Sequence, residues 1–152
     1  MDLKTFVEII AAFVGVVVAI FGVITYFNDR KRARKKDTLE AYNVLQKETF
    51  SKINVWLPAD IKKATEDKKS DAYKELSECL ADIERFCVGI NEGIYDFDTF
   101  YEISHGYFDS EKGILKPRLI PLIESKSIGS DVDYFKNIHT VWKKMDDKTQ
   151  YK

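Results

Sequence analysis

The stretch FVEIIAAFVGVVVAIFGVITYFNDRKRARKK, residues 6–36, decides the architecture of this chain. Its apolar part contains only three polar side chains, Glu8, Thr25 and Tyr26. About 20 apolar residues are enough for a helix to span a bilayer core. Six cations follow within residues 30–36, whereas Lys4 is the only cation before the stretch. The positive-inside rule therefore predicts a single-pass protein with its N-terminus outside and its C-terminal part in the cytoplasm.

A cleaved signal peptide is the alternative to a transmembrane helix. However, the positive charge follows the apolar stretch, the stretch is long, and no small-x-small cleavage motif precedes the basic cluster. We therefore predict a transmembrane helix over residues 1–28 and a basic segment over 29–37 that contacts anionic lipid head groups. A helical cytosolic domain is expected over 38–147, and a polar tail over 148–152.

One face of the predicted span carries small residues. Ala11, Gly15 and Ala19 recur at every fourth position, and Gly22 and Glu8 extend the same face. Small residues let helix backbones approach closely in lipid, and an ionisable group in a span usually faces a bundle interior. The alternatives are a chance pattern, and a Glu8 side chain at the outer interface. The pattern favours a homo-oligomer.

The overall balance of 24 basic and 25 acidic residues hides an asymmetry. Residues 37–152 hold 17 cations and 22 acids, a net charge of about −5. Long nucleic acid is a poor partner for such a domain, because it needs a concentrated positive footprint. A small anionic ligand needs only a few cations. Cys79 and Cys87 are about 12 Å apart along one predicted helix, too far for a disulfide, which predicts free thiols.

The residues after the span predict an all-α domain. No Gly or Pro occurs over residues 23–57, so the first helix is expected to continue until just before Pro58. A short helix is predicted over 60–67, and an apolar stripe at helical spacing predicts another over 71–91.

Local signals predict how the later helices begin and end. Ser70 is an N-cap, Gly93 a left-handed C-cap, and Asp96 the N-cap of the next helix. Gly106 and Gly113 indicate a loop or a broken helix. Two further helices complete the prediction: a short one over 118–125 after Pro117, and a last one, carrying Val132, that opens at Ser130 and Asp133.

Catalytic motifs are missing from the sequence. It contains no phosphate-binding loop, dinucleotide turn or nucleophile elbow. His105 and His139 lie 34 residues apart without neighbouring cysteines, and Asp96, Asp98 and Glu102 lack the spacing of a calcium loop. We therefore expect no catalytic residues, no metal and no cofactor, and a protein that is not an enzyme.

A recognition surface is the remaining source of function. Arg85 is the only Lys or Arg between Lys74 and Lys112. It is a candidate for bidentate binding of an anionic ligand, with Asn91 and Tyr95 in contact with that ligand. The alternative is a buried Glu84–Arg85 network with Tyr95 packed on a helix turn. A second cationic pair, Lys116 and Arg118, opens a short helix, where a phosphate can bind.

The run IERFCVGINEGIYD, residues 83–96, resembles the central signature of a bacterial family catalogued as a domain of unknown function. Residues 116–120, KPRLI, are similar to its second block, and the resemblance covers roughly residues 38–145. It implies one N-terminal span in the bacterial inner membrane, followed by a helical cytosolic domain.

The architecture also resembles the small membrane-anchored effectors of type III CRISPR systems. That resemblance implies a tetrameric cytosolic domain that binds cyclic tetra-adenylate and perturbs or opens the membrane. The resemblance carries no motif residue over to this sequence; under this hypothesis our candidates for phosphate contacts are Arg85, Lys116 and Arg118. Four further residues would then contact base or ribose: Asn91, Tyr95, Tyr101 and His105. The alternative function is a constitutive inner-membrane scaffold that recruits a protein partner.

Overall fold

A computed structural model describes residues 2–109, 113–128 and 133–150. Within these ranges the chain forms helices and no strands, which confirms the predicted all-α class. The elements are α1 (Leu3–Leu45), a π-helical turn (Gln46–Phe50), α2 (Ser51–Asn54), α3 (Pro58–Ala64), α4 (Asp71–Asn91), α5 (Phe97–Phe108), α6 (Lys116–Ser127) and α7 (Lys136–Gln150). They belong to two compact units, Met1–Arg34 and Lys35–Lys152.

The first unit is the apolar part of α1. This helix is long and apolar enough to cross a membrane, with a mean hydropathy of 2.5 over 18 residues and none of that window buried within the chain. Phe13 and Phe21 are each exposed by about two thirds, at 69% and 66%. Exposing apolar surface to water costs about 25 cal/mol per Å². The helix is therefore compatible with a membrane anchor.

The helical path that begins with α1 ends at Asn54, before Pro58 as predicted, but it is not a uniform α-helix. The π-helical turn interrupts it at Gln46–Phe50. A π turn contains more residues than an α turn, so Leu45 and Phe50, five positions apart, both remain in the core. Leu57 then adopts an extended backbone, which is the usual conformation before proline.

Helix α4 is central to the second unit and has the predicted bounds. Its apolar stripe is buried, including Leu76, Leu80 and Ile83. It packs against α7, α6, α3 and α2. The Ser70 side chain caps it by accepting a hydrogen bond of 3.2 Å from the Tyr73 amide, as predicted.

A Schellman turn ends α4. Gly93 has a positive φ of 70°, which glycine adopts without steric cost. The Ile94 amide donates to the Gly89 carbonyl at 2.9 Å, and the Gly93 amide donates to Ile90 at 3.3 Å. These are the two bonds of the motif, and they confirm Gly93 as the C-cap.

The turn between α4 and α5 is bound to the second unit's part of α1. Thr38 is fully buried there, and its hydroxyl accepts a bond of 2.7 Å from the Asp96 amide. The Asp96 carboxylate caps α5 by accepting from the Thr99 amide at 2.9 Å, as predicted. One short segment therefore orients three helices.

The core at this point is aromatic. The Phe100 ring lies 5.9 Å from Tyr42, 5.3 Å from Phe86 and 5.2 Å from Phe108. Such ring pairs add about 0.5–1.5 kcal/mol each beyond the burial of their area.

The predicted bounds of four helices, α3, α5, α6 and α7, were wrong. Helix α5 continues through Gly106, because one helical glycine costs only about 1 kcal/mol, less than burial of Phe108 contributes. Helix α3 begins at Pro58 and ends at Ala64, since proline fits the first turn of a helix. Helix α6 extends beyond residues 118–125 at both ends. Helix α7 begins at Lys136 and not at Asp133, whose carboxylate instead accepts a hydrogen bond of 3.1 Å from the Phe135 amide in the preceding turn. The expected cap at Ser130 and the apolar Val132 lie outside the described residues.

Candidate functional site

Arg85 lies on α4 at the border of two surface grooves and lines both. Its guanidinium forms an ion pair with Asp82 and not with Glu84, so the predicted Glu84–Arg85 network is wrong. Residues three apart on a helix share a face, whereas neighbours do not. The Arg85 side chain is 74% exposed, which leaves its remaining donors open to a ligand.

The first groove has a volume of about 360 Å³ and contains Arg85 and Tyr95 together. The Tyr95 ring stacks on Phe86 at 5.1 Å and covers Gly89, where a Cβ atom would collide with it. Two acids, Glu48 and Asp82, line the same groove. Its charges therefore do not favour an anion.

The second groove lies between α4, α6 and the segment that leads into α7, and its volume is about 690 Å³. It contains two cations in addition to Arg85. Lys68 donates to the Ser125 carbonyl at 2.7 Å, and the Lys126 ammonium lies 5.1 Å from the centre of the Tyr73 ring. Tyr134 and Phe135 add aromatic surface.

The pKa of the Tyr73 phenol is sensitive to the charges of this second groove. Burial acts to raise its pKa. The hydrogen bond with Ser125 and the positive charges of Lys126 and Lys68 act in the opposite direction and prevail, so the pKa lies below the ordinary value of 10.0. The cations thus create a positive potential at this position.

Glu84, the acid that lines the second groove, is hydrogen-bonded to the start of α7. Its carboxylate accepts from the Asn137 amide at 3.2 Å, from the Asn137 side chain at 2.7 Å and from the Ile138 amide at 3.0 Å. These amides are the free donors at a helix N-terminus. The Glu84 carboxylate therefore caps the N-terminus of α7.

Asn91 ties α4 to α7. Its side-chain amide donates to the Asn137 backbone and side-chain oxygens at 3.2 and 3.1 Å, and its oxygen accepts from Lys144 at 2.9 Å. These bonds use the polar atoms that we assigned to a ligand. The geometry gives Asn91 a packing role.

Lys116 and Arg118 do not form the predicted cationic pair. The Arg118 guanidinium donates to the Trp56 and Ile114 carbonyls at 3.1 and 2.8 Å. The Lys116 ammonium lies 5.2 Å from the centre of the Trp142 ring, in a separate groove. Arg118 thus joins two loops.

Tyr101 and His105 lie together on α5, away from both grooves. Their rings stack at 5.6 Å, and the buried Tyr101 hydroxyl lies 3.2 Å from the Thr149 hydroxyl. The seven predicted ligand residues therefore do not form one site. Of these seven, only Arg85 and Tyr95 line the same one of the described grooves.

The predicted small-residue face lies on the exposed helix of the first unit. Glu8, Ala11 and Ala19 are exposed, and among the described residues no atom outside the adjoining helix backbone lies within 4 Å of a Cβ built on Gly15 or Gly22.

No metal site is present in the part of the chain that the structure describes, since no three acidic, His or Cys residues gather there. Cys79 and Cys87 are free and buried. Burial raises the pKa of the Cys79 thiol to about 11, and that of Cys87 well above its ordinary value.

The signature of a family described as a domain of unknown function (DUF4760) matches residues 9–109. The chain belongs to this family. The DUF4760 match covers about two thirds of the chain, from the apolar helix to the end of α5. It starts earlier and ends sooner than the predicted range 38–145, so residues 116–120 lie outside it.

No curated protein and no solved structure matches the chain. The resemblance to membrane-anchored effectors of type III CRISPR systems therefore stays a prediction. The second groove lies partly beyond the DUF4760 match, since Lys126 and Tyr134 follow residue 109. We did not predict its lysines because Lys68 and Lys126 are far apart in sequence and adjoin unremarkable polar stretches.

Proposed function

We propose that this protein is a membrane-anchored antiviral effector whose helical domain binds a cyclic oligoadenylate, with cyclic tetra-adenylate favoured. Ligand binding would open or perturb the membrane through the N-terminal helix. The observation that carries the proposal is the composition of α1. This one helix contains the exposed apolar stretch and, further along, core residues of the second unit, Thr38, Tyr42 and Leu45.

A ligand-driven change in the helical domain would reach α1 through these core residues. Packed interiors deform in discrete steps and not continuously, because they are dense. The π-helical turn next to Leu45 adds a site of irregular hydrogen bonding, and such turns are frequent at functional positions.

The expected topology follows from charge. Six cations after the apolar stretch favour a cytoplasmic location for the helical domain in a bacterial inner membrane. The face of Ala11, Gly15 and Ala19 favours self-association in lipid. A tetramer would bring four copies of each ligand-binding cation together.

A binding experiment on the full chain in lipid nanodiscs tests this function. Thermal unfolding is followed by the fluorescence of Trp56 and Trp142, both in the helical domain, with cyclic oligoadenylates of several ring sizes. A ligand at 100 times its Kd adds about 2.7 kcal/mol of stability, which raises the Tm by several degrees. An unchanged Tm with every ring size would refute the proposal.

A leakage experiment separates the effector from the alternative. Liposomes that contain the full chain and a self-quenched dye should release dye only when the ligand is added, and Gly15→Leu should abolish release while leaving ligand binding intact. Release that does not depend on ligand, or survives Gly15→Leu, would contradict the proposed gating.

The second candidate is a constitutive membrane scaffold. It is favoured by exposed apolar side chains on the helical domain, of which Val55 and Ile128 are 78% and 77% exposed and Leu57 is 62% exposed. A scaffold would show no nucleotide affinity and would work equally well with an unrelated span.

A further inference from the structure

We propose that the second groove, bordered by Lys68, Arg85 and Lys126, is the site where this protein binds a phosphorylated nucleotide. The inference rests on the proposed function for the identity of the ligand, cyclic tetra-adenylate. It assigns the site to residues that the sequence did not indicate, apart from Arg85.

The two lysines are held in place by the protein and retain donors for a ligand. A lysine ammonium carries three N–H donors, and the bond from Lys68 to the Ser125 carbonyl uses one of them. The Lys126 ammonium is placed by the Tyr73 ring, 5.1 Å from its centre. Such placement lowers the entropy cost of ordering long side chains around a phosphate.

The cations of the groove outnumber its acid, which is hydrogen-bonded to the start of α7. Among the described residues that line it, Glu84 is the only carboxylate, and both of its oxygens accept bonds from Asn137 and Ile138. The groove therefore has three cations, of which Arg85 is also paired with Asp82, against one hydrogen-bonded carboxylate. The first groove has the opposite balance, with Glu48 and Asp82 against Arg85.

The aromatic side chains of the groove suit a nucleobase. Tyr134 is 57% exposed, so its ring is open to stacking, while Phe135 is buried at the base of the same groove. Stacking of a base on an aromatic ring contributes about 1–3 kcal/mol in proteins that bind single strands. Cations for phosphate and a ring for a base are thus present in one groove of about 690 Å³.

The test measures the Kd of cyclic tetra-adenylate and of adenosine 5′-monophosphate for the full chain in nanodiscs. The variants are Lys126→Ala, Lys68→Ala and Lys126→Arg. The matched control is Lys69→Ala, which removes an equal charge next to Lys68 but outside the groove. Circular dichroism and the Tm of each variant check folding.

We expect each alanine variant in the groove to raise the Kd at least about tenfold, as loss of a charge-assisted hydrogen bond does. Lys126→Arg should recover most of the affinity, and Lys69→Ala should stay within about twofold of the parent, as distant surface charges contribute little.

Four outcomes decide between the two proposals. The expected pattern supports both. Equal weakening by all variants, or by none, overturns the site and leaves the proposed function intact. Binding of the monophosphate alone, sensitive to Lys126→Ala, supports the site and overturns the choice of cyclic tetra-adenylate. Absence of binding to either nucleotide by the folded parent overturns both.

Discussion

The Thr49 hydroxyl donates a hydrogen bond of 3.3 Å to the Asp82 carboxylate, which also pairs with Arg85. Thr49 lies in the π-helical turn and Asp82 lies on α4. Arg85, at the border of both grooves, is therefore linked to the irregular turn through a single residue, Asp82. A ligand that broke the Arg85–Asp82 ion pair would also affect the Asp82 carboxylate, which accepts the hydrogen bond from Thr49.

Thr49→Val tests this bond without changing the shape of the side chain. Thr49 is buried, and the loss of one hydrogen bond should lower the free energy of unfolding by about 1 kcal/mol. Hydrogen exchange of the amides at residues 46–50 should rise. The control is Thr140→Val, whose exposed hydroxyl bonds only within its own helix. An equal effect of both substitutions would show that the Thr49–Asp82 bond contributes nothing specific.

Glu84→Ala should destabilise the domain more than any other glutamate substitution on α4. It removes the acceptor of both backbone amides at the start of α7, and bonds to charged groups contribute about 1.5–3 kcal/mol. Urea unfolding followed by Trp142 fluorescence measures the loss. Glu78→Ala, at an exposed position of the same helix, should change stability by less than about 0.5 kcal/mol. Comparable losses would contradict the capping role.

Alanine at two helical glycines should have opposite effects. Gly89→Ala places a methyl group against the Tyr95 ring and should cost about 1–3 kcal/mol, as overpacking does. The methyl group of Gly106→Ala meets no atom of the described residues within 4 Å outside the adjoining helix backbone. This substitution should gain about 0.5–1 kcal/mol, because alanine loses less entropy in a helix. Chemical denaturation of both variants checks the signs. Stabilisation by Gly89→Ala would show that the ring does not rest on the backbone there.

The two thiols should resist alkylation in the folded protein. Cys79 and Cys87 are 2% and 0% exposed, and burial raises the pKa of Cys79 from 9.0 to about 11. At pH 8 iodoacetamide should therefore modify both only after unfolding, since the thiolate is the reactive form. A thiol whose folded pKa is raised also makes stability fall as pH rises from 9 towards 11. Rapid modification of the native chain, or rising stability over that range, would contradict this environment.

The sequence predicted those features that depend on neighbouring residues. Ser70, Gly93 and Asp96 act within four residues of themselves, through cap geometries that their side chains or backbone favour locally. The long helix and its apolar stretch follow from composition alone.

Contacts between distant segments could not be predicted in the same way. Lys68 meets Ser125 across 57 residues, and Arg118 meets Trp56 across 62. The sequence offers each cation many possible hydrogen-bond acceptors. Which acceptor it contacts is determined only by how α3, α4 and α6 pack. For that reason we predicted that Arg118 binds a ligand, whereas in the structure its guanidinium joins two loops.

The packing of α4 against α7 has a consequence for folding during synthesis, because α4 is made before the helix that covers it. Residues 136–150 leave the ribosome last among the described helices, so α4 emerges with its apolar face uncovered. The 59 residues from Asn91 to Gln150 take roughly 3–12 s to translate at about 5–20 residues per second. The domain therefore completes its fold only after α7 has been synthesised, and the apolar face of α4 that packs on α7 stays uncovered until then.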